Sequence, residues 1–145
     1  MNIRSSTQTS LTLSCDLLAV GVPEDGLDAA LASLEDAFGG TLATTLGNDE
    51  FTGKSGQAAS YPTFGRIDAP RLLLVGTGKG DALGIQAAAG QAGSHARKSG
   101  AETIGLALGA LDSVQTQRAV EAFAVGNYRF DKYKAETDRK PRTAE

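Results

Sequence analysis

The sequence predicts an α/β domain, and three observations carry that prediction. The branched apolar run Leu72-Leu73-Leu74-Val75 is too short for a helix and apolar on both faces, as a strand buried inside a sheet reads. The glycine-rich stretch Gly76-Thr77-Gly78-Lys79-Gly80 follows it, and an Ala-rich segment of helical period then runs from Asp81 to Lys98. A further apolar run, Thr103 to Leu108, is expected to be another buried strand and completes a strand–helix–strand unit whose crossover is expected to be right-handed.

The remaining elements are read in chain order. Asn2 to Ser14 carries Ile3, Leu11 and Leu13 among Ser and Thr, which predicts one or two edge strands. Asp16 to Val22 is a buried strand ended by Pro23, and Glu24-Asp25 sit where a helix start favours negative charge. Leu27, Leu31, Leu34 and Phe38 then mark one apolar helix face, with Gly39-Gly40 as its C-terminal cap. Thr41 to Leu46 is β-branched and apolar and is expected to be a strand, with Gly47-Asn48-Asp49 turning the chain. Phe51 to Gly56 is a second turn. Gln57 to Phe64 is the return strand of a hairpin, held to the sheet edge or ended early by Pro62.

After the central strand, Leu83, Ile85, Ala88, Ala89, Ala92 and Ala96 form the apolar face of the Ala-rich helix, capped by Gly100. Gly84, Gly90 and Gly93 each weaken that helix by about 1 kcal/mol relative to Ala, which implies very close packing on the sheet. Asp112 and Gln115 have capping-box spacing. The helix they open is expected to reach about Tyr128, with Val120, Phe123, Ala124 and Tyr128 on one face. Ala135 to Glu145 lacks large apolar residues and reads as a solvated linker or tail. The organisation expected is therefore one domain over 1–134 and a polar tail over 135–145.

Composition narrows the function. The 145 residues are the length of one domain, and 41% hydrophobic with 21% charged residues is ordinary for a globular chain. A net charge of −3 disfavours a general nucleic-acid surface. The basic cluster Arg139, Lys140 and Arg142 is interleaved with acids and has no aromatic for base stacking. The single cysteine, Cys15, excludes an intrachain disulfide and a thiolate zinc cluster and reads as a small core residue. His95, the one histidine, reads as a helix-end residue without a nucleophile partner. No apolar run approaches the ~20 residues that span a membrane, and residues 1–10 lack the apolar core of a signal peptide, so a cytoplasmic location is expected.

Two glycine stretches are candidate anion loops. Gly53-Lys54-Ser55 has the ending of a phosphate-binding loop, but that motif needs glycine at position 48, where Asn stands. Gly76, Gly78, Lys79 and Gly80 have the better context, after a strand and before a helix. The dinucleotide pattern would require glycine at 81, where Asp stands, and an acid there repels phosphate. The loop is read as a tight strand-to-helix connection, with anion or nucleotide binding as the alternative. The acidic pairs Glu24/Asp25, Glu35/Asp36 and Asp49/Glu50 read as solvated faces rather than a metal centre.

Four stretches together resemble the amino-terminal domain of the leucyl aminopeptidase (cytosol aminopeptidase) family. Asp16 to Val22 looks like its D-x-L-x-V-G-V strand, and Glu50 to Gly56 like its E-F-x-G-K-x-G turn. Leu73 to Lys79 looks like its L-V-G-L-G-K strand and loop, with Thr77 replacing Leu. Gly126 to Lys134 looks like the G-x-Y-x-F-D-x-Y-K segment that closes the domain. The resemblance implies a three-layer, macro-domain-like α/β fold with a central mixed sheet flanked by helices. It also implies a parent hexameric two-metal aminopeptidase, using zinc or manganese to release N-terminal residues from peptides. In that family the metal ligands and catalytic residues lie in a carboxy-terminal domain, around an N-T-D-A-E-G-R motif that this sequence lacks. No catalytic or metal residue is therefore expected here. The chain is expected to be a non-catalytic scaffold or oligomerisation domain whose partner is its own catalytic domain. A stand-alone macro-domain-like module for ADP-ribose or another nucleotide is the alternative; DNA binding, known for some relatives, is disfavoured by the charge.

Overall fold

The computed structural model describes residues 14–25, 32, 34–108 and 112–127. Its sheet has four strands: β1 (Leu17–Pro23), β2 (Ala58–Pro62), β3 (Arg71–Gly78) and β4 (Ile104–Ala107), in the order β2-β3-β1-β4. β1 lies between β3 and β4, parallel to both, whereas β2 runs antiparallel to β3. The sheet is therefore mixed, and the run Leu72–Val75 occupies an interior strand, wholly buried. Pro62 falls on β2, at the edge of the described sheet, where its missing N–H breaks no ladder.

Strand alternation sorts the core into two halves. Leu18, Val20, Val22, Leu72 and Leu74 face one layer; Leu17, Ala19, Leu73 and Val75 face the other. The first layer contains helical residues 34–37, Phe38 and the short helix α1 (Leu42–Asn48), with Phe51, Ile67 and Ala69. The second contains α2 (Ala82–Ser99), with Ile85, Ala88, Ala89, Ala92 and Ala96 on the sheet, and α3 (Ser113–Asn127), which adds Ala119 and Phe123. The three-layer mixed α/β expectation holds.

The caps follow the sequence signals. Gly39 and Gly40 both take positive φ, and the Gly40 N–H donates to the Glu35 carbonyl while Gly39 N–H donates to Asp36, the bonding of a Schellman cap. The Asp81 carboxylate accepts from the Gly84 N–H, and Gly100 ends α2 in the left-handed region. Asp112 and Gln115 exchange reciprocal side-chain-to-backbone bonds of 2.7 and 3.1 Å. At the other end of the sheet Asp16 accepts from the N–H groups of Glu102 and Thr103 and donates its own N–H to Thr103, tying the starts of β1 and β4.

Several expectations are corrected. Thr41–Leu46 is helical, not a strand: Leu42 and Leu46, four residues apart, are both buried, and the Thr45 hydroxyl donates to the Thr41 carbonyl within the turn. The hairpin partner of β2 is accordingly β3, which follows it. Leu83 is exposed rather than part of the α2 face. Of the α3 face expected, Phe123 is buried, whereas Val120 and Ala124 are only half-buried and Ala119 is the second buried position. The strands expected in 2–14, Leu27 and Leu31, Tyr128, the closing segment beyond Asn127 and the 134/135 boundary lie outside the described residues.

The glycines of α2 have distinct reasons. A Cβ at Gly84 would meet the Thr77 carbonyl oxygen at 1.8 Å, so this helix start lies hard against the end of β3. A Cβ at Gly93 would meet the Phe123 carbonyl at 2.3 Å, and one at Gly126 would meet the Gly90 carbonyl at 2.3 Å. The close approach at Gly90 and Gly93 is thus to α3, not to the sheet. Gly90 itself has room, with its nearest neighbour at 3.8 Å. Urea denaturation should separate the two: Gly90→Ala should stabilise by up to about 1 kcal/mol through helix propensity, while Gly93→Ala should destabilise by about 1–3 kcal/mol through overpacking.

Candidate functional site

The C-terminal ends of β1 and β3 are where an open α/β sheet offers a ligand crevice, because the connections leaving these strands run to opposite faces. The connection after β1 builds the first layer, and that after β3 is α2 in the second. Gly76, Gly78, Lys79 and Gly80 stand at this crevice. Gly76 and Gly78 are buried; Lys79 and Gly80 are exposed.

Three backbone donors of this loop are already engaged. Gly76 N–H donates to the Gln57 carbonyl (2.8 Å), Gly78 N–H to the Gly53 carbonyl (2.9 Å) and Gly80 N–H to the Thr77 carbonyl (3.0 Å). The Gly78 carbonyl accepts from Glu24 N–H at 2.8 Å, binding the end of β1 to the same point. At the start of α2 the Asp81 carboxylate holds the Gly84 N–H at 2.9 Å, the place a bound anion would otherwise take. Lys79 thus stands at an exposed rim beside a carboxylate that is itself the helix cap.

The turn from Glu50 to Gln57 fills the crevice. A Cβ at Gly76 would lie 1.9 Å from the Lys54 carbonyl oxygen, and one at Gly53 2.7 Å from that of Pro23. Only glycines allow three backbone segments to meet so closely. Gln57 organises the turn: its side-chain oxygen accepts from Thr52 N–H (3.0 Å), the Thr52 hydroxyl (3.1 Å) and Lys54 N–H (3.1 Å). Its amide nitrogen reaches the Glu50 carbonyl at 3.4 Å, and Gln91 from α2 donates to the Gly56 carbonyl at 3.2 Å. In the sequence Gln57 marks only the start of a strand. No local spacing distinguishes a glutamine that bonds back into its own turn.

The remaining chemical groups are dispersed. An open cleft of about 270 Å³ lies beside β2, bordered by Asp49, Phe51 and residues 57–61. There the Tyr61 hydroxyl donates to Asp49 at 2.5 Å; burial first, and then this carboxylate, push the phenol well above its usual range. Cys15 packs half-buried on the first core, and burial raises its thiol. His95 is on α2, where burial and then Lys98 hold its imidazole below the usual value. Among the described residues no three His, Cys, Asp or Glu side chains gather to hold a metal ion, so these residues do not fit a two-metal centre. No helix among them is long and apolar enough to cross a membrane.

Known proteins place this architecture. Residues 19–137 match the model of the cytosol aminopeptidase family, N-terminal domain. A probable cytosol aminopeptidase of Geotalea uraniireducens is 37% identical over 136 residues, covering 89% of this chain and 27% of that protein. One from a Geobacter species is 35% identical, covering 99% of this chain and 30% of that protein. Among solved structures, a mutant tomato leucine aminopeptidase superposes with a TM-score of 0.74 at 21% identity, over 93% of this chain and 30% of that one; this likeness speaks for the fold alone. The chain belongs to the cytosol aminopeptidase family, as its N-terminal domain, and spans about 30% of the length of these relatives.

Two measurements check the local physics. Gln57→Leu deletes the acceptor shared by Thr52 and Lys54 and should cost about 1–3 kcal/mol in urea unfolding, with the largest loss of amide protection at 50–57. His95 resists protonation in the folded state, so its contribution is fully present above its unfolded pKa, about 6.5, and is lost as pH falls below it. His95→Gln should therefore flatten the decline of the unfolding midpoint as pH falls below about 6.5.

Proposed function

We propose that this chain is a non-catalytic scaffold domain of a metallo-aminopeptidase that releases N-terminal residues from peptides. The observation that carries the reading is the filled crevice: the Glu50–Gln57 turn takes the N–H groups of Gly76 and Gly78, and Asp81 caps the helix start, where a strand–loop–helix unit would bind a ligand. Residues 76–80 are, in this reading, a structural junction. The match to the family's N-terminal domain supports the rest. The scaffold extends over 1–134, and 135–145 is a linker toward the catalytic domain. Zinc or manganese and the catalytic groups belong to that domain, and this one packs on it and helps shape a hexamer in the cytoplasm. The macro-domain-like alternative requires the turn to leave the crevice.

Purified chain with added manganese should leave leucine p-nitroanilide intact, whereas the product of the complete reading frame should hydrolyse it and lose that activity to a chelator. Turnover by this chain that survives repurification and disappears with chelator would overturn the reading. Calorimetric titration with ADP-ribose should release no binding heat; micromolar binding abolished by Gly78→Glu would establish the alternative.

A further inference from the structure

The turn between β2 and β3 displays an aromatic ring at a cost. Arg66 N–H donates to the Thr63 carbonyl at 3.0 Å, and the two central residues, Phe64 and Gly65, have φ of +52° and +80°. A two-residue turn with both φ positive favours Asn-Gly, because a side chain in the left-handed region crowds its own backbone. Here the first position holds phenylalanine, 85% exposed. Neither the strain nor the exposure helps the domain fold.

The base of the turn is rigid. Thr63 is fully buried, its hydroxyl donates to the Ala69 carbonyl at 2.6 Å, and its N–H donates to the Pro70 carbonyl at 3.0 Å. Ile67 and Ala69 anchor the following residues in the first core. A bulky residue held at positive φ by surroundings this well determined marks a functional position more often than an accident. Arg66, Asp68 and Arg71, which follow it closely in the chain, are exposed.

We propose that Phe64 is a docking knob that seats in an apolar socket, rimmed by carboxylates, on the catalytic domain of the same polypeptide. This rests on the reading given under Proposed function. Length supports the choice of occupant: the matched relatives carry 70–73% of their residues outside the region this chain covers. A second copy of this chain is the poorer seat. Its cleft beside β2 is open, and a knob-to-cleft contact between copies would be head-to-tail and would not close as a two-fold pair.

The test is Phe64→Asn, made in this chain and in the complete reading-frame product. In this chain, asparagine should relieve the backbone and raise the unfolding midpoint by about 2–4 °C. In the complete protein, the amides of Thr63 and Arg66 should exchange about tenfold more slowly than in this chain, and the substitution should abolish that difference. Equal exchange in the two forms would overturn the proposal. So would a lowered midpoint in this chain, which would make Phe64 an internal packing residue. A wild-type midpoint that rises with chain concentration, and does so no longer in the variant, would overturn it in favour of a second copy. Leucine p-nitroanilide hydrolysis by the same complete protein separates the two ideas. An inactive product sinks the functional reading, while an active one with unprotected turn amides sinks only the docking.

Discussion

The structure depends on one backbone contact, the seating of the Glu50–Gln57 turn against the end of β3. Two hydrogen bonds, Gly76 to Gln57 and Gly78 to Gly53, hold it; the approach leaves no space for a Cβ at Gly76, and the end of β1 leaves none at Gly53. Neighbouring elements are set from this point. The Gly78 carbonyl receives the chain leaving β1, through Glu24. The β1–β3 register slips by one residue between Val22 and Pro23, passing over Thr77. The Thr77 carbonyl then lies against Gly84, which positions the first turn of α2 and lets its apolar stripe of Ile85, Ala88, Ala89 and Ala92 reach the sheet. Backbone polar groups buried at such a junction must be paired, and here the chain pairs them with itself.

Much of the fold was legible because its signals are local. Short apolar runs mark strands, and β1, β3 and β4 appear where those runs predict them; β1 and β3 are buried as expected, whereas β4 lies at the edge of the described sheet with Leu106 exposed. Caps are equally local. Asp81, Gly100 and the Asp112/Gln115 pair bond as their spacing requires, because cap geometry involves only three or four consecutive residues. Pro62 placed β2 at an edge for a reason that needs no tertiary knowledge.

What was misread depended on contacts distant in sequence. Thr41 to Leu46 has the β-branched residues of a strand, yet its two leucines are spaced for a helix and the first core takes both. Burial of that pair outweighed weak intrinsic preference, and the threonines turned their hydroxyls back to the Phe38 and Thr41 carbonyls. Of the α2 glycines expected against the sheet, only Gly84 packs there, because sequence cannot say what approaches a glycine. Gly84 meets a strand end, whereas Gly93 meets α3. The same limit applies to the face of α3, where Phe123 is buried as expected but Ala119 joins it in place of Val120 and Ala124, beside the Gly93–Phe123 and Gly90–Gly126 crossings.

At the candidate site the decisive fact was in the sequence but divided between two places. The E-F-x-G-K-x-G turn and the L-V-G-x-G-K strand and loop, about twenty residues apart, resemble two separate family motifs, and each invites a phosphate-loop interpretation. In the fold they are the two halves of one contact. Gly53 and Gly76 permit the approach, Gln57 braces one side, and Asp81 closes the helix start on the other. A glycine-rich loop binds an anion when its N–H groups converge on empty space; here they converge on carbonyl oxygens of the same chain. Substituting one half would disturb the other, so the two stretches constrain each other. That mutual constraint is a structural reason for both glycine patterns that requires no ligand.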